Sequence, residues 1–145
     1  VARPLRPTTR SSAGNTPVFA NQASRQEFST SQMGRDCCMV SANLHGEPIA
    51  IATAHFESLS QYSDKRKQQF RWLLDQITAF DGLFVFGGDT NLREAEVKAT
   101  KKAKEVSDAW VELGSPKETR FTWDLVVNTN KQMDTPSQPR ARYDR

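Results

Sequence analysis

Leu83-Phe84-Val85-Phe86-Gly87-Gly88-Asp89-Thr90-Asn91 begins as a wholly apolar run and ends as a polar loop. Four apolar residues in a row suit a short strand in the middle of a covered sheet. The strand delivers Asp89 and Asn91 to its C-terminal edge, where α/β proteins gather their ligand sites. Two glycines before Asp89 let the backbone approach a ligand closely. Residues two apart on an extended segment point to one side, so Asp89 and Asn91 can face one site. A carboxylate there can bind Mg²⁺ or activate water, and a neighbouring carboxamide can hold the water or a phosphate oxygen. Taken alone, the same residues also make an ordinary turn.

The surrounding chain supports a layered fold. Upstream, Ser63 to Phe80 reads as a helix, with Phe70, Leu73, Leu74 and Ile77 on one face. Ser63 can cap its start, Asp64 suits its first turn and Gly82 marks its stop. Cys37 to Leu44 and Pro48 to Ala54 read as two strands joined by a turn at His45-Gly46-Glu47. Downstream, Glu94 to Lys104 is a charged helix and Asp108 to Leu113 a short amphipathic piece. Phe121-Thr122-Trp123 is a short strand, and Val126 to Arg140 a polar loop. Strands alternate with helices and also pair as a hairpin, which gives an α/β protein with mixed sheets.

At 145 residues the chain has the length of one domain. Its hydrophobic content of 37% is low, as is its mean hydropathy of −0.67, so part of it is expected outside the packed core. Residues 1–26 are rich in Arg, Ser, Thr and Pro and are expected to form a flexible basic arm or diverged segment. Residues 27–145 are left as the folded domain. Arg3, Arg6, Arg10, Arg25 and Arg35 face one acid, Glu27, over residues 1–35. Such an arm can touch phosphates, although an ordinary linker has the same composition. The whole-chain charge of +3 is compatible with a polyanionic partner. Cys37 and Cys38 are adjacent, too close for an unstrained bridge, and read as free thiols of a reducing compartment. No apolar run approaches the roughly 18 residues of a membrane span, so no membrane partner is expected.

Two further residues bear on the loop. His55 closes the second strand of the hairpin, where an imidazole can donate to a phosphate oxygen. A lone histidine at such a place is more often structural. Trp123 can pack in a core or wall a site for a base or aromatic group.

Four motifs then stand in order: Thr53-x-His55-x-Glu57-Ser58, Phe86-Gly87-Gly88-Asp89-Thr90-Asn91-Leu92-Arg93, Thr122-Trp123-Asp124 and Arg142-Tyr143-Asp144-Arg145. They resemble the endonuclease/exonuclease/phosphatase superfamily. The longer runs GDTNLRE, LGSPKETRFTWD and RYDR, with FSTSQMGR at Phe28 to Arg35, resemble its tyrosyl-DNA phosphodiesterase branch. That resemblance implies a four-layer α/β/β/α sandwich of two mixed sheets, incomplete in this chain. It implies hydrolysis of 5′-tyrosyl-DNA linkages left by topoisomerase II, in nuclear (or also cytoplasmic) DNA repair. The implied cofactor is Mg²⁺, or Mn²⁺ in its place. The implied partners are DNA with 5′-phosphotyrosyl ends and the topoisomerase II peptide remnant, met by a monomer. Carried over by position, Asp89 would ligate the metal and orient or deprotonate the water. Asn91 and His55 would contact the phosphate. Ser58 and Arg93 would line the DNA path, Trp123 would wall the site, and Asp144 would support a catalytic histidine or the metal shell.

The family also uses a metal-ligating Glu and an Asn on strands before the hairpin, and a Ser-Asp-His motif. Residues 1–35 show no such strands, and Glu27 is a poor stand-in for the Glu. The expectation is a piece of an active enzyme, with little or no catalysis by these 145 residues alone. The other readings are a different nuclease or phosphatase of the superfamily and a catalytically dead nucleic-acid-binding remnant.

Overall fold

The computed structural model describes residues 19–131, 133 and 138–145. Residues 1–18, and with them Arg3, Arg6 and Arg10 of the expected arm, lie outside the described residues.

The centre is a four-stranded mixed sheet in the order β1-β2-β3-β4. β1 (Phe19–Glu27) and β2 (Asp36–Leu44) pair antiparallel, as do β2 and β3 (Glu47–Ala54). β4 (Leu83–Phe86) runs parallel to β3, with Ile49 opposite Leu83 and Ala52 opposite Phe86. The β2–β3 turn has positive φ at both His45 (52°) and Gly46 (90°). That is the twist a two-residue hairpin needs. Asn43 Oδ1 steadies it by accepting the Gly46 N–H at 2.7 Å.

β1 corrects the expected flexible arm, because residues 19–26 are part of a strand. Its side chains from Gln22 to Glu27 are exposed, so it has no buried face to reveal it. The backbone ladder to β2 supports it, with an Arg25–Asp36 ion pair at 2.5 Å across the pair. Polar side chains on an edge strand are also what keep such an edge from pairing with other chains.

α1 (Ser63–Ala79) connects β3 to β4 and covers one face of the sheet. Phe70, Leu73, Leu74 and Ile77 pack with Ala50, Ala52, Phe84 and Phe86, as the 3.6-residue spacing requires. Ser63 is not the cap: a 3-10 turn at Ser60–Tyr62 leads into the helix, and the Ser63 hydroxyl donates to Glu96. Gly82 is not a left-handed stop either. A Cβ there would lie 2.4 Å from the Pro48 carbonyl oxygen, so close strand approach demands glycine.

β4 is last in the order of this sheet rather than in its middle. An apolar run alone cannot show whether strands or a helix cover it. On its free side, beyond Phe86, the C-terminal segment takes over: Gly88 and Arg145 exchange N–H to O bonds of 3.0 and 3.1 Å. The expected helix over 94–104 is divided into α2 (Glu94–Ala99) and a 3-10 turn at Lys101–Glu105. Thr100 between them has extended backbone, and its hydroxyl donates to the Glu96 carbonyl oxygen at 2.9 Å. α3 (Ala109–Glu112) is capped by Asp108. A second sheet is the antiparallel pair β5 (Trp123–Asp124) and β6 (Arg140–Ala141), with β5 slightly later than the expected 121–123 strand.

Cys37 is buried and Cys38 exposed, both as free thiols. Burial pushes the Cys37 thiol up to about 11. The sheet's outer face carries Val40 opposite Ile51 and Ile51 opposite Val85. Val40 is 41% and Ile51 56% exposed, so this apolar face is uncovered among the described residues.

Candidate active site

Past Phe86 the chain stays in the sheet for three more residues. Gly87 N–H donates to the Ala52 carbonyl oxygen at 3.1 Å, and Phe56 N–H to that of Asp89 at 2.9 Å. Asp89 is bridged to His55 on one side, parallel, and to Asp144 on the other, antiparallel. Residues paired across neighbouring strands show their side chains to one face. His55, Asp89 and Asp144 therefore form one row across three chain segments. His55 Nε2 lies 3.4 Å from Asp89 Oδ2.

Gly88 is the glycine this geometry cannot replace. A Cβ there would sit 2.3 Å from the Ala54 carbonyl oxygen, whereas Gly87 has open space. Asn91 reaches the site by a different route from simple alternation. Its φ is +50°, and its N–H donates to Asp89 Oδ1 at 2.9 Å. This side-chain-to-backbone turn suits Asp followed by Asn. Asn91 Nδ2 donates to the Phe56 carbonyl oxygen at 3.1 Å, fixing the carboxamide beside the His55 loop.

Three supports hold the row, and sequence reasoning assigned none of them. The first is Thr90, which is buried; its N–H and hydroxyl both donate to the Tyr143 carbonyl oxygen, at 2.8 and 2.7 Å. The second is a latch of arginines on either side of Asp144. Arg142 and Arg145 both bond Asp108 and Glu94, with N···O distances from 2.7 to 3.3 Å. The Arg142 guanidinium also lies 4.6 Å over the Trp110 ring. Burial pushes the Glu94 and Asp108 carboxyls up, but hydrogen bonds and charge from the arginines outweigh it and leave both lowered. The i, i+3 spacing in Arg-Tyr-Asp-Arg was the available signal.

The third support is Glu57, which is 0% exposed. It accepts from the Ser31 hydroxyl at 2.6 Å, the Gln32 N–H at 2.7 Å and Gln69 Nε2 at 3.4 Å. Burial would raise its carboxyl; these bonds bring it below its ordinary value. It ties the β1–β2 loop and α1 to the segment that carries His55. Arg66, also buried, donates to the Glu57 and Leu59 carbonyl oxygens and pairs with Glu96. Nothing short of the fold marks Glu57 as buried, since its sequence neighbours are mixed.

The other candidate residues are placed around the row. Ser58 accepts from Arg35 Nη2 at 3.1 Å. Arg93 is exposed at the start of α2, its N–H donating to Glu96 Oε2 at 2.8 Å. Trp123 is half-buried on β5 with Lys131 Nζ 5.2 Å from its ring centre. It neighbours Thr122, whose hydroxyl accepts the Tyr143 and Asp144 N–H groups at 3.0 Å. Asp144 is exposed.

A divalent cation does not fit these residues alone. Among the described residues no three His, Cys, Asp or Glu side chains are grouped to hold a metal. Asp89 already uses Oδ1 on Asn91 and turns Oδ2 to His55. Mg²⁺ is usually held by a carboxylate or two plus substrate oxygens.

No family model matches the chain. It is 36% identical to tyrosyl-DNA phosphodiesterase 2 of Gallus gallus over 121 residues, 81% of this chain and 32% of the relative. It is 34% identical to the 5′-tyrosyl-DNA phosphodiesterase of Caenorhabditis elegans over 110 residues, 72% of this chain and 30% of the relative. Its fold matches the crystal structure of D. rerio tyrosyl-DNA phosphodiesterase 2 complexed with single-strand DNA product, with a TM-score of 0.78 at 32% identity. That match covers 88% of this chain and 51% of the other. The human nocturnin catalytic domain matches with a TM-score of 0.58 at 16% identity, over 73% of this chain and 44% of that one, a likeness of fold alone. The chain thus spans about a third of the length of the curated relatives it matches. The likeness to tyrosyl-DNA phosphodiesterase 2 is carried by both sequence and fold.

Proposed function

We propose that this chain carries part of the active site of a metal-dependent phosphodiesterase that hydrolyses 5′-tyrosyl-DNA linkages in DNA repair. The observation that supports it is the row His55, Asp89 and Asp144, in a chain whose relatives are named for that activity. In the reaction a water oxygen bonds to phosphorus, the bond from phosphorus to the tyrosyl oxygen breaks, and the DNA keeps a 5′-phosphate. Asp89 takes or directs the water's proton. His55 donates to a phosphate oxygen. Asn91, bonded to Phe56 through one N–H, offers its other N–H to the phosphate and its carbonyl oxygen to the water. Asp144, beside Asp89, supports a catalytic histidine or the metal shell. Ser58, Arg93 and Trp123 line the approach of the DNA. Mg²⁺, or Mn²⁺ in its place, is the proposed cofactor, to which the described residues supply Asp89. The substrate is the topoisomerase II remnant on a DNA 5′ end, the compartment the nucleus and the enzyme a monomer.

The test is cleavage of 5′-phosphotyrosyl DNA and of abasic DNA by the full-length protein, with and without a chelator. Cleavage of the first alone, lost with the metal, is the expected result. Asp89→Asn is expected to lower turnover by about 10²–10⁴ while single-strand DNA binding persists. Cleavage of abasic DNA instead would make the protein a different nuclease of the fold. Unchanged turnover in Asp89→Ala and His55→Ala would reduce it to a binding remnant. The 145-residue chain alone is expected to turn over little or not at all. Among the described residues Asp89 by itself makes a thin metal site.

A further inference from the structure

Between α2 and the turn that follows α3 lies an open depression of about 240 Å³, lined by Glu94, Lys98, Trp110, Ser115, Lys117 and Arg120. The turn ends α3 with Gly114 at φ 84° and Ser115 at φ 54°. The Ser115 N–H donates to the Trp110 carbonyl oxygen at 2.9 Å, and Trp110 Nε1 to that of Pro116 at 3.2 Å. The Ser115 hydroxyl has no hydrogen-bond partner among the described residues. Lys98, Lys117 and Arg120 are exposed, and none of them makes an ion pair among the described residues. The one acid of the lining, Glu94, is already bonded to Arg142 and Arg145. An unpartnered hydroxyl thus lines a depression with three cations that lack a counter-anion. Proline follows Ser115, and the residues on either side, Leu113 to Gly114 and Pro116 to Arg120, are exposed. α3 is only four residues long, and left-handed backbone at a serine is strained, so little holds the turn closed.

We propose that Ser115 is a phosphorylation site for a protein kinase that selects proline after the acceptor, and that Lys98, Lys117 and Arg120 receive the phosphate. In the transfer the Ser115 oxygen bonds to the γ-phosphorus of ATP. The bond from that phosphorus to the β,γ-bridging oxygen breaks, ADP leaves, and the hydroxyl proton passes to the kinase's catalytic carboxylate. The opened turn suits such a kinase, because proline fixes its own φ, brings no N–H and favours extended backbone at the serine before it. Closed again, the turn carries a group of charge about −1.5 to −2 with three acceptor oxygens into the depression. Phosphate among unpaired cations forms charge-assisted hydrogen bonds and orders the segment that carries it. Lys98 belongs to α2, so the modified turn is tied to a second element. That turn joins α3, whose cap Asp108 holds Arg142 and Arg145, to β5, which carries Trp123. The inference stands apart from the phosphodiesterase reading, since neither the acceptor nor the three cations belong to the row of His55, Asp89 and Asp144.

The experiment incubates the full-length protein with ATP and a proline-directed protein kinase and maps the modified residues by mass spectrometry. Transfer to Ser115 is expected, and its loss in Pro116→Ala. Ser115 left unmodified, or modified equally without the proline, would overturn the proposal. Phosphorus NMR then follows the titration of the phosphoserine in native protein and in protein unfolded by urea. Lys98, Lys117 and Arg120 favour the dianion and Glu94 opposes it. The native midpoint is therefore expected about one pH unit below the unfolded one, which lies near the ordinary value of about 6. Arg120→Ala and Lys98→Ala are each expected to return part of that difference. Lys98 is the sharper test, because it acts from a separate element and not through its nearness in sequence. Amide exchange over residues 114–120 is expected to slow on modification. A native midpoint equal to the unfolded one would overturn the assignment of the three cations, as would a lowering that survives both substitutions together.

Discussion

Gly88 shows how a single residue sets the site. Its α-carbon passes so close to the Ala54 carbonyl that a methyl group would have to push β3 and the loop apart. That push would reach the His55–Asp89 pair, since His55 follows Ala54. Gly88→Ala is expected to cost about 1–3 kcal/mol, as overpacking does, seen as a lower urea midpoint. Gly87→Ala, with open space around it, is expected to cost less at the same backbone conformation. Equal midpoints for the two variants would show that the strand yields freely. The motif residues were legible because their chemistry is carried in their own side chains. Gly88 and Glu57 stand in the same motifs, but their structural tasks were not legible there, because the atoms that constrain them come from Ala54, Ser31 and Gln69, distant in sequence.

At the scale of elements, the C-terminal segment enters the site only because it is latched. Arg142 and Arg145 hold Asp108 at the cap of α3 and Glu94 at the start of α2, while Tyr143 takes both donors of Thr90. Asp108→Asn leaves two almost buried guanidinium groups with only one, Glu94, of the two carboxylates they share among the described residues, and is expected to cost about 3 kcal/mol. Under the proposed phosphodiesterase reading, it is expected to lower the full-length protein's turnover as well, by releasing Asp144 from beside Asp89. Wild-type stability in urea would show that Glu94 alone suffices. The latch also sets a pH dependence. Glu94, Asp108, Glu57 and Glu96 all have folded values below their ordinary ones. Lowered carboxylates stabilise the fold above their unfolded values and lose that stabilisation as pH falls through the folded ones. Stability is therefore expected to be level near neutrality and to fall below about pH 4. A urea midpoint unchanged between pH 6 and pH 3 would contradict this.

At the scale of the molecule, one face of the main sheet is packed and the other is not. α1 covers the face of Ala50, Ala52, Phe84 and Phe86, while Val40 and Ile51 lie open opposite half-buried Val85. Exposed apolar patches of this kind favour association. The isolated 145-residue chain is expected to self-associate, and Ile51→Lys to reduce that association, as followed by light scattering. A monodisperse monomer for both would show that the face is tolerated in water. An uncovered face also agrees with a chain that matches only about half of a solved relative.

The sequence by itself determined the β2–β3 hairpin, α1 and β4, and offered His55, Asp89 and Asn91 as candidates that the fold brings close together. Each is written in local terms: a turn at His45-Gly46, an apolar spacing at 3.6 residues, an apolar run ending in Gly-Gly-Asp. Only the tertiary structure decided that residues 19–26 form an edge strand, that β4 ends the main sheet, and that Asp144 comes to lie beside Asp89. The physical reason is the same in all three. A polar edge strand, a strand's neighbours and a bridge across more than fifty residues depend on backbone groups supplied by another segment, and side-chain pattern leaves no record of which segment that is.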